Sequence, residues 1–257
     1  MAVVSFRVLP WIPWLYRKAD TLPDLPVFTI VKPEIYPMSA PSLPRGLYAI
    51  TDSRLIPPGE LEQRVSLAIA GGATVIQYRA KGSAAAADID EVAAVARLCR
   101  QHGVPLIVND DVELAAAVGA AGVHLGRDDA SLHMARARLG TEAIIGISCY
   151  NDLQRARQAV QAGADYVAFG RFYPSRSKPE AVLAEPALLT RASRELAIPL
   201  VAIGGITPAN GQALLAAGAS LLAAIHGVFG QPDIAAAARC YAALFQDKQV
   251  IPGQVRP

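Results

Sequence analysis

Gly71-Gly72-Ala73-Thr74-Val75-Ile76-Gln77-Tyr78-Arg79-Ala80-Lys81 is the stretch that decides the fold. Thr74-Val75-Ile76 is a short apolar, β-branched run and reads as a buried strand. Side chains alternate along a strand, so Gln77, Arg79 and Lys81 share one face if the strand continues through them. Two cations and an amide at the end of a buried strand are costly to desolvate unless an anion meets them. One reading is a local ion pair with a neighbouring acid. The other is a site for a phosphorylated ligand, and the rest of the chain favours it.

The glycine step before the strand recurs. Gly122-Val123-His124-Leu125, Gly163-Ala164-Asp165-Tyr166-Val167 and Gly218-Ala219-Ser220-Leu221-Leu222 also place Gly between an Ala-rich helical stretch and the next strand. Glycine takes the left-handed conformation that ends a helix and lets the chain turn into a strand. Strands are predicted at 47–51, 74–78, 105–108, 122–125, 143–147, 166–169, 200–203 and 221–225. Helices are predicted near 60–70, 85–102, 111–118, 131–138, 151–161, 187–196, 208–216 and 233–246. Eight strand–helix units over about 200 residues fit an α/β class (β/α)8 TIM barrel, whose usual size is ~250 residues. A doubly wound open sheet usually has fewer strands, and no glycine-rich dinucleotide fingerprint follows the first strand here.

The predicted organisation is a single barrel domain over residues 46–247, an irregular extension over 1–45 and a short tail over 248–257. The extension carries Pro23, Pro26, Pro33, Pro37, Pro41 and Pro44 with no amphipathic period, and Met38 is an alternative start. Trp11, Trp14 and Tyr16 are its docking candidates. At 257 residues, 53% apolar and 18% charged, the chain is expected to fold around a large core. A net charge of +2 with no basic stripe argues against a nucleic-acid partner. No run approaches the roughly 18 apolar residues of a membrane helix, and Met1–Leu15 makes a poor signal peptide. Cys99, Cys149 and Cys240 are scattered and odd in number, which fits a reducing, cytoplasmic setting without disulfides.

Polar residues gather just after the predicted strands, at the end of a βα barrel where catalytic residues sit. In chain order they are Asp52; Arg79 and Lys81; Asn109-Asp110-Asp111; Arg127-Asp128-Asp129; Ser148; Arg171 to Lys178; Gly204-Gly205; and His226-Gly227. Asp110 and Asp129 offer hard oxygen ligands from adjacent strand ends, which suits one Mg²⁺. Asp111 is better placed to cap the following helix. Ile203-Gly204-Gly205-Ile206-Thr207-Pro208 is a strand, a glycine pair and a helix start, either a tight turn or a phosphate cradle. Ile225-His226-Gly227 strengthens the phosphate reading. Ser175-Arg176-Ser177-Lys178, between Pro174 and Pro179, is read as an anion clamp or lid. His124 is read as a hydrogen-bonded interior histidine, His102 and His133 as surface residues, and Cys149 as a packing residue.

These motifs carry a resemblance. Leu47 to Asp52, Gln77 to Lys81, Asn109-Asp110, Gly122 to Gly126, Gly146-Ile147-Ser148, Phe169 to Lys178 and Ile203 to Ile206 occur in the order seen in thiamine phosphate synthases, and together they resemble that family over residues 46 to 246. The resemblance implies a Mg²⁺-dependent transferase. It joins 4-amino-5-hydroxymethyl-2-methylpyrimidine diphosphate to a carboxylated thiazole phosphate, releasing diphosphate and carbon dioxide. It implies that Gln77, Arg79, Lys81, Asn109 and Ser148 bind the pyrimidine diphosphate, as does Lys178. It implies that Asp110 and Asp129 hold one Mg²⁺ per subunit. Ser175, Arg176, Ser177, Gly205, Ile225 and His226 match the thiazole phosphate site. Arg79, Lys81 and Lys178 are the residues expected to act on the leaving group. The role of Ser148 rests on the resemblance alone. Ser175 and Ser177 stand where threonines are usual, Arg127 where glutamine is common and His226 where serine is usual.

Three other readings remain at the level of sequence. A sister thiazole tautomerase resembles the synthase but uses a histidine near the position of Tyr150 and lacks the full diphosphate set. A Schiff-base aldolase would use Lys81 or Lys178 as nucleophile. A non-catalytic barrel would sense a thiamine precursor. The implied partners are phosphorylated small molecules, and self-association is left open. Removal of residues 1–37 is expected to leave fold and activity intact, because the segment lies outside the eight units. Melting temperature and activity of a chain starting at Met38 check this; a large drop in melting temperature would make Trp11 and Trp14 part of the domain.

Overall fold

The computed structural model describes residues 43–80, 88–126, 131–174 and 182–246. Within them eight strands close into a parallel barrel in chain order. They are β1 (Gly46–Ile50), β2 (Ala73–Tyr78), β3 (Leu106–Asn109), β4 (Gly122–Leu125), β5 (Ile144–Tyr150), β6 (Tyr166–Phe169), β7 (Leu200–Ile203) and β8 (Leu221–Ala224). β1 pairs with both β2 and β8, which completes the ring. The predicted TIM barrel is therefore borne out.

The helices are α1 (Leu61–Ala70), α2 (Ile89–Gln101), α3 (Val112–Val118), α4 (Leu132–Leu139), α5 (Leu153–Gln161), α6 (Pro186–Glu195), α7 (Pro208–Ala216), α8 (His226–Phe229) and α9 (Ile234–Ala242). Local chemistry starts several of them. Asp88, Asp111, Ser131, Asp152 and Asp233 each cap a helix through a side-chain oxygen. Asp111 thus plays the capping role expected of it, accepting from the Leu114 N–H at 2.8 Å. At α7, Thr207 and Asn210 form a reciprocal capping box with Pro208 in the first turn.

Strand alternation divides the interior in two. Leu47, Ala49, Ile76, Val108, Val123, Ile145, Val167, Ala202 and Leu222 face the helices. Tyr48, Ile50, Val75, Ile107, Ile144, Tyr166, Ala168, Val201, Leu221 and Ala223 fill the barrel. The period-2 rule decides which layer each residue joins.

The structure corrects several expectations. β5 runs to Tyr150 rather than ending at 147, with an irregular register between Ser148 and Tyr150, so Ser148 lies in the strand instead of after it. β3 likewise takes in Asn109. The left-handed residue before β4 is Gly119, not Gly122. Gly122 is required for space, because a Cβ there would overlap the Ile144 carbonyl. The short α8 begins directly at His226, where no helix was predicted, since four residues carry no period. Residues 1–42 of the extension, residues 175–181 and the tail lie outside the described residues.

Gly146 of β5 sits against the ring of Tyr166 on β6, and a Cβ there would overlap that ring. Gly146→Ala is expected to cost about 1–3 kcal/mol by overpacking. That corresponds to a fall of roughly 2–4 °C in melting temperature per kcal/mol for a domain of this size. Calorimetry checks it.

Candidate active site

The strand ends open onto a cavity of about 420 Å³. Gln77, Arg79, Asn109, His124, Ser148, Tyr150, Arg171, Gly204, Gly205, Ile225 and His226 line it. Residues from β2, β3, β4, β5, β7 and α8, with loop residues beside them, thus converge on one space, as the barrel-face reading expected. No Asp or Glu among the described residues lines this cavity, whereas Arg79 and Arg171 do. Its chemistry favours an anionic ligand.

Gln77 and Arg79 reach the cavity because they alternate with Tyr78, which packs outward against the helical layer. Gln77 is only 4% exposed. Thr51 clamps the end of β2: its hydroxyl accepts the Arg79 N–H at 2.9 Å, and its own N–H donates to the Gln77 carbonyl at 2.9 Å. Arg79 is largely withdrawn from solvent. Its Nη1 is buried with no hydrogen-bond partner among the described residues and lies 3.8 Å from Asp52 Oδ2. Burial lowers the Arg79 pKa from its ordinary value, opposed by the carboxylates of Asp52 and Asp110. A guanidinium pK this high keeps the group charged, so the cation stands half-matched.

Asp52 does not line the cavity. It is 2% exposed and receives Arg54 through a fork, Nε to Oδ1 at 3.0 Å and Nη2 to Oδ2 at 2.7 Å. Those Arg54 bonds hold the Asp52 carboxyl below the usual carboxylate range. The local ion-pair reading of Arg79 is therefore met only in part, because Asp52 is bonded to Arg54 first.

Asp110 takes a left-handed backbone, φ 67°. This is uncommon for a residue with a Cβ. Its N–H donates to the His124 carbonyl of β4 at 2.8 Å, which ties the strained residue to the barrel. Such strain collects at functional positions. Tyr150, φ 55°, is the other non-glycine case among the described residues, and it lines the cavity. Asp110 is one hard carboxylate near Arg79, a donor that suits Mg²⁺ shared with substrate phosphates. No group of three or more His, Cys, Asp or Glu among the described residues forms a metal cluster.

The Gly204-Gly205 turn is the tight turn expected of it, and it borders the cavity. Both residues have positive φ, 102° and 62°, and both line the cavity. A side chain on either would strike the loop from Arg171 to Pro174. His226 faces the same space.

His124 is the hydrogen-bonded interior histidine that was expected. Its Nδ1 lies 2.9 Å from the Tyr166 hydroxyl and its Nε2 2.9 Å from Ser148 Oγ. Tyr166 in turn meets the Tyr48 hydroxyl at 2.8 Å, and Gln77 Nε2 donates to Tyr48 at 3.0 Å. Burial raises the pKa of both phenols well above 10. Arg155 of α5 braces the same wall, donating to the Ser148 carbonyl at 2.8 Å and the Gly126 carbonyl at 3.1 Å. Sequence reading missed Tyr48, Tyr166 and Arg155. Tyr48 does alternate with Ile50 in β1, the signal that could have placed it inside the barrel. Cys149 is fully buried, with its thiol pushed up to about 12 by desolvation, consistent with packing. His102 and His133 are exposed.

Lys81, Asp129, Ser175, Arg176, Ser177 and Lys178 lie outside the described residues.

The family model described as thiamine monophosphate synthase matches residues 47–228. A thiamine-phosphate synthase of Nitrosococcus oceani is 55% identical over 197 residues, 77% of this chain and 91% of that protein. The thiamine-phosphate synthase of Thiobacillus denitrificans is 52% identical over 198 residues, 77% of this chain and 93% of that protein. Among solved structures, a thiamine phosphate pyrophosphorylase from Pyrococcus furiosus superposes with TM-score 0.70 at 34% identity, covering 77% of this chain and 94% of that one.

The Asp52 geometry sets a pH dependence. Its folded pKa is depressed, so its stabilising contribution is complete at neutral pH and is lost as the pH falls through the folded value. The melting-temperature gap between the wild type and Asp52→Asn is expected to be full at pH 7 and to narrow below about pH 4, the ordinary carboxylate range. A gap independent of pH would show that the Arg54 fork contributes nothing.

Proposed function

Since this chain belongs to the thiamine monophosphate synthase family, we propose that the cavity at the strand ends is where pyrimidine diphosphate and carboxythiazole phosphate are joined to give thiamine phosphate. The observation that carries the reading is the cavity lining among the described residues: two arginines, no carboxylate, and a buried Arg79 nitrogen that finds no hydrogen-bond partner among those residues. The oxygens of a diphosphate supply what that nitrogen lacks.

The bond between the pyrimidine methylene carbon and diphosphate breaks first, and its electron pair leaves with the oxygen. The resulting methylene cation is captured by the lone pair of the thiazole nitrogen, the thiazole carboxylate departs as carbon dioxide, and the electron pair it leaves on the ring takes up a proton from solvent. Negative charge gathers on the leaving group in the transition state, so fixed cations aimed there lower the barrier. Arg79 supplies one. Lys81 and Lys178 are assigned the same task. Gln77, Asn109 and Ser148 hold the pyrimidine half. Gly205, Ile225 and His226 take the thiazole phosphate, together with Ser175, Arg176 and Ser177. At His226 the backbone can serve the phosphate where the usual serine hydroxyl is missing.

Asp110 and Asp129 would hold one Mg²⁺ with the substrate diphosphate. When bound, the ion neutralises charge on the leaving group. The Asp110 backbone, tied to β4, supports this role by keeping its carboxylate near Arg79. The catalytic unit is the barrel of residues 46–247, working in the cytoplasm. Tyr150 on the cavity wall, in place of a histidine, fits the synthase better than the tautomerase.

The test is direct. The purified chain, both substrates and Mg²⁺ should yield thiamine phosphate, and excess EDTA should abolish the product. Full activity in metal-free buffer would contradict the role of Asp110. Arg79→Ala should lower the single-turnover rate by about 10²–10³, the usual worth of a donor aimed at developing charge. An unchanged rate at saturating substrate would reduce Arg79 to a structural part.

A further inference from the structure

Gln77, Tyr48, Tyr166, His124 and Ser148 form one unbroken hydrogen-bond chain through the barrel, crossing β2, β1, β6, β4 and β5. Both ends of the chain line the cavity. We propose that this chain is a polarised relay in which His124 is a positioning residue, fixing Ser148 as a hydrogen-bond donor toward the pyrimidine substrate.

The polarity follows from counting protons. Tyr48 and Tyr166 are fully buried, and each hydroxyl carries one proton that needs an acceptor. Gln77 Nε2–H donates to the Tyr48 oxygen. The Tyr48 proton then has Tyr166 as its acceptor. Tyr166, having accepted, sends its own proton to His124 Nδ1. A neutral imidazole with Nδ1 as acceptor carries its proton on Nε2, so Nε2–H donates to Ser148 Oγ. The Ser148 proton is left for the cavity. A doubly protonated ring would reverse the Tyr166 link and strand the Tyr48 proton in the core, which is costly. Arg155 holds the Ser148 backbone from the other side, so the hydroxyl is fixed at both its oxygen and its chain.

The relay does more than join side chains. A serine hydroxyl alone turns freely and serves a donor or an acceptor. With its oxygen already accepting from His124, it favours a ligand acceptor such as a ring nitrogen. The inference rests on the reading that Ser148 faces the pyrimidine half.

Two measurements test it on the full chain. Long-range ¹⁵N–¹H spectra of histidine-labelled protein, with His124 assigned by its loss in His124→Gln, should show the proton on Nε2. Tyr166→Phe removes the donor to Nδ1 and should release the ring to a mixture of tautomers. The same variant should raise KM for the pyrimidine diphosphate about five- to tenfold, the worth of one hydrogen bond, with KM for the thiazole phosphate unchanged. Ser148→Ala should do likewise, and the double variant should add little to either. A proton on Nδ1 in the wild type would overturn the relay, and that spectrum decides even if a variant fails to fold. If Ser148→Ala raises KM while Tyr166→Phe does not, the relay is wrong and the placement of Ser148 stands. If Ser148→Ala leaves KM unchanged, the placement itself fails and takes the inference with it.

Discussion

A buried guanidinium needs a partner, and the way Arg79 is supplied with one organises this site. The barrel gives it Asp52 at 3.8 Å, but Arg54 already bonds that carboxylate at 2.7 Å. Leaving a buried charged group short of hydrogen bonds costs more than the ~1–3 kcal/mol of a neutral one. A protein bears that cost where a ligand recovers it. The surroundings agree with an anion there: Arg171 is on the cavity wall, the paired glycines border it, and Asp52 is bonded to Arg54 and does not line it.

The interior of the barrel is unusual for its kind. Such interiors are mostly filled by branched apolar side chains in layers. Here the layer nearest the site is polar, with Tyr48, Tyr166, His124 and Gln77 bonded to one another. A satisfied polar network costs little and fixes geometry; an unsatisfied one would be worse than an apolar core. Gly146 is part of the same design, since its missing side chain makes room for the Tyr166 ring. Packing and recognition therefore share residues, and the strands that close the barrel also set the hydrogen-bond polarity at the site.

Much of this was legible in the chain. The glycine step before Ala73 and its recurrences marked out the repeating unit, and β2, β4, β6 and β7 fall within a residue of their predicted bounds. Arg79 and Gln77 were placed on one face by alternation alone. The failures have physical causes. Ser148 was put after its strand because β5 carries an irregularity that periodicity does not encode. Tyr48 and Tyr166 read as core because a tyrosine in an apolar run looks like any aromatic; only the fold brings their hydroxyls within 2.8 Å. Arg155 sits on a helix and was invisible as a brace, since its contacts are to carbonyls 7 and 29 residues away in sequence. The strain at Asp110 is a property of the β3 to α3 turn, and no residue type announces it.

The buried cation just past the end of β2 is proposed to be a diphosphate receptor. Calorimetric titration of inorganic diphosphate into the chain, with Mg²⁺ present, measures it without any turnover. The account predicts saturable binding that is lost in Arg79→Met and kept in Ser148→Ala, because only the first removes charge from the anion site. Equal binding by the wild type and Arg79→Met would contradict it, and would mean that the buried guanidinium serves the fold alone.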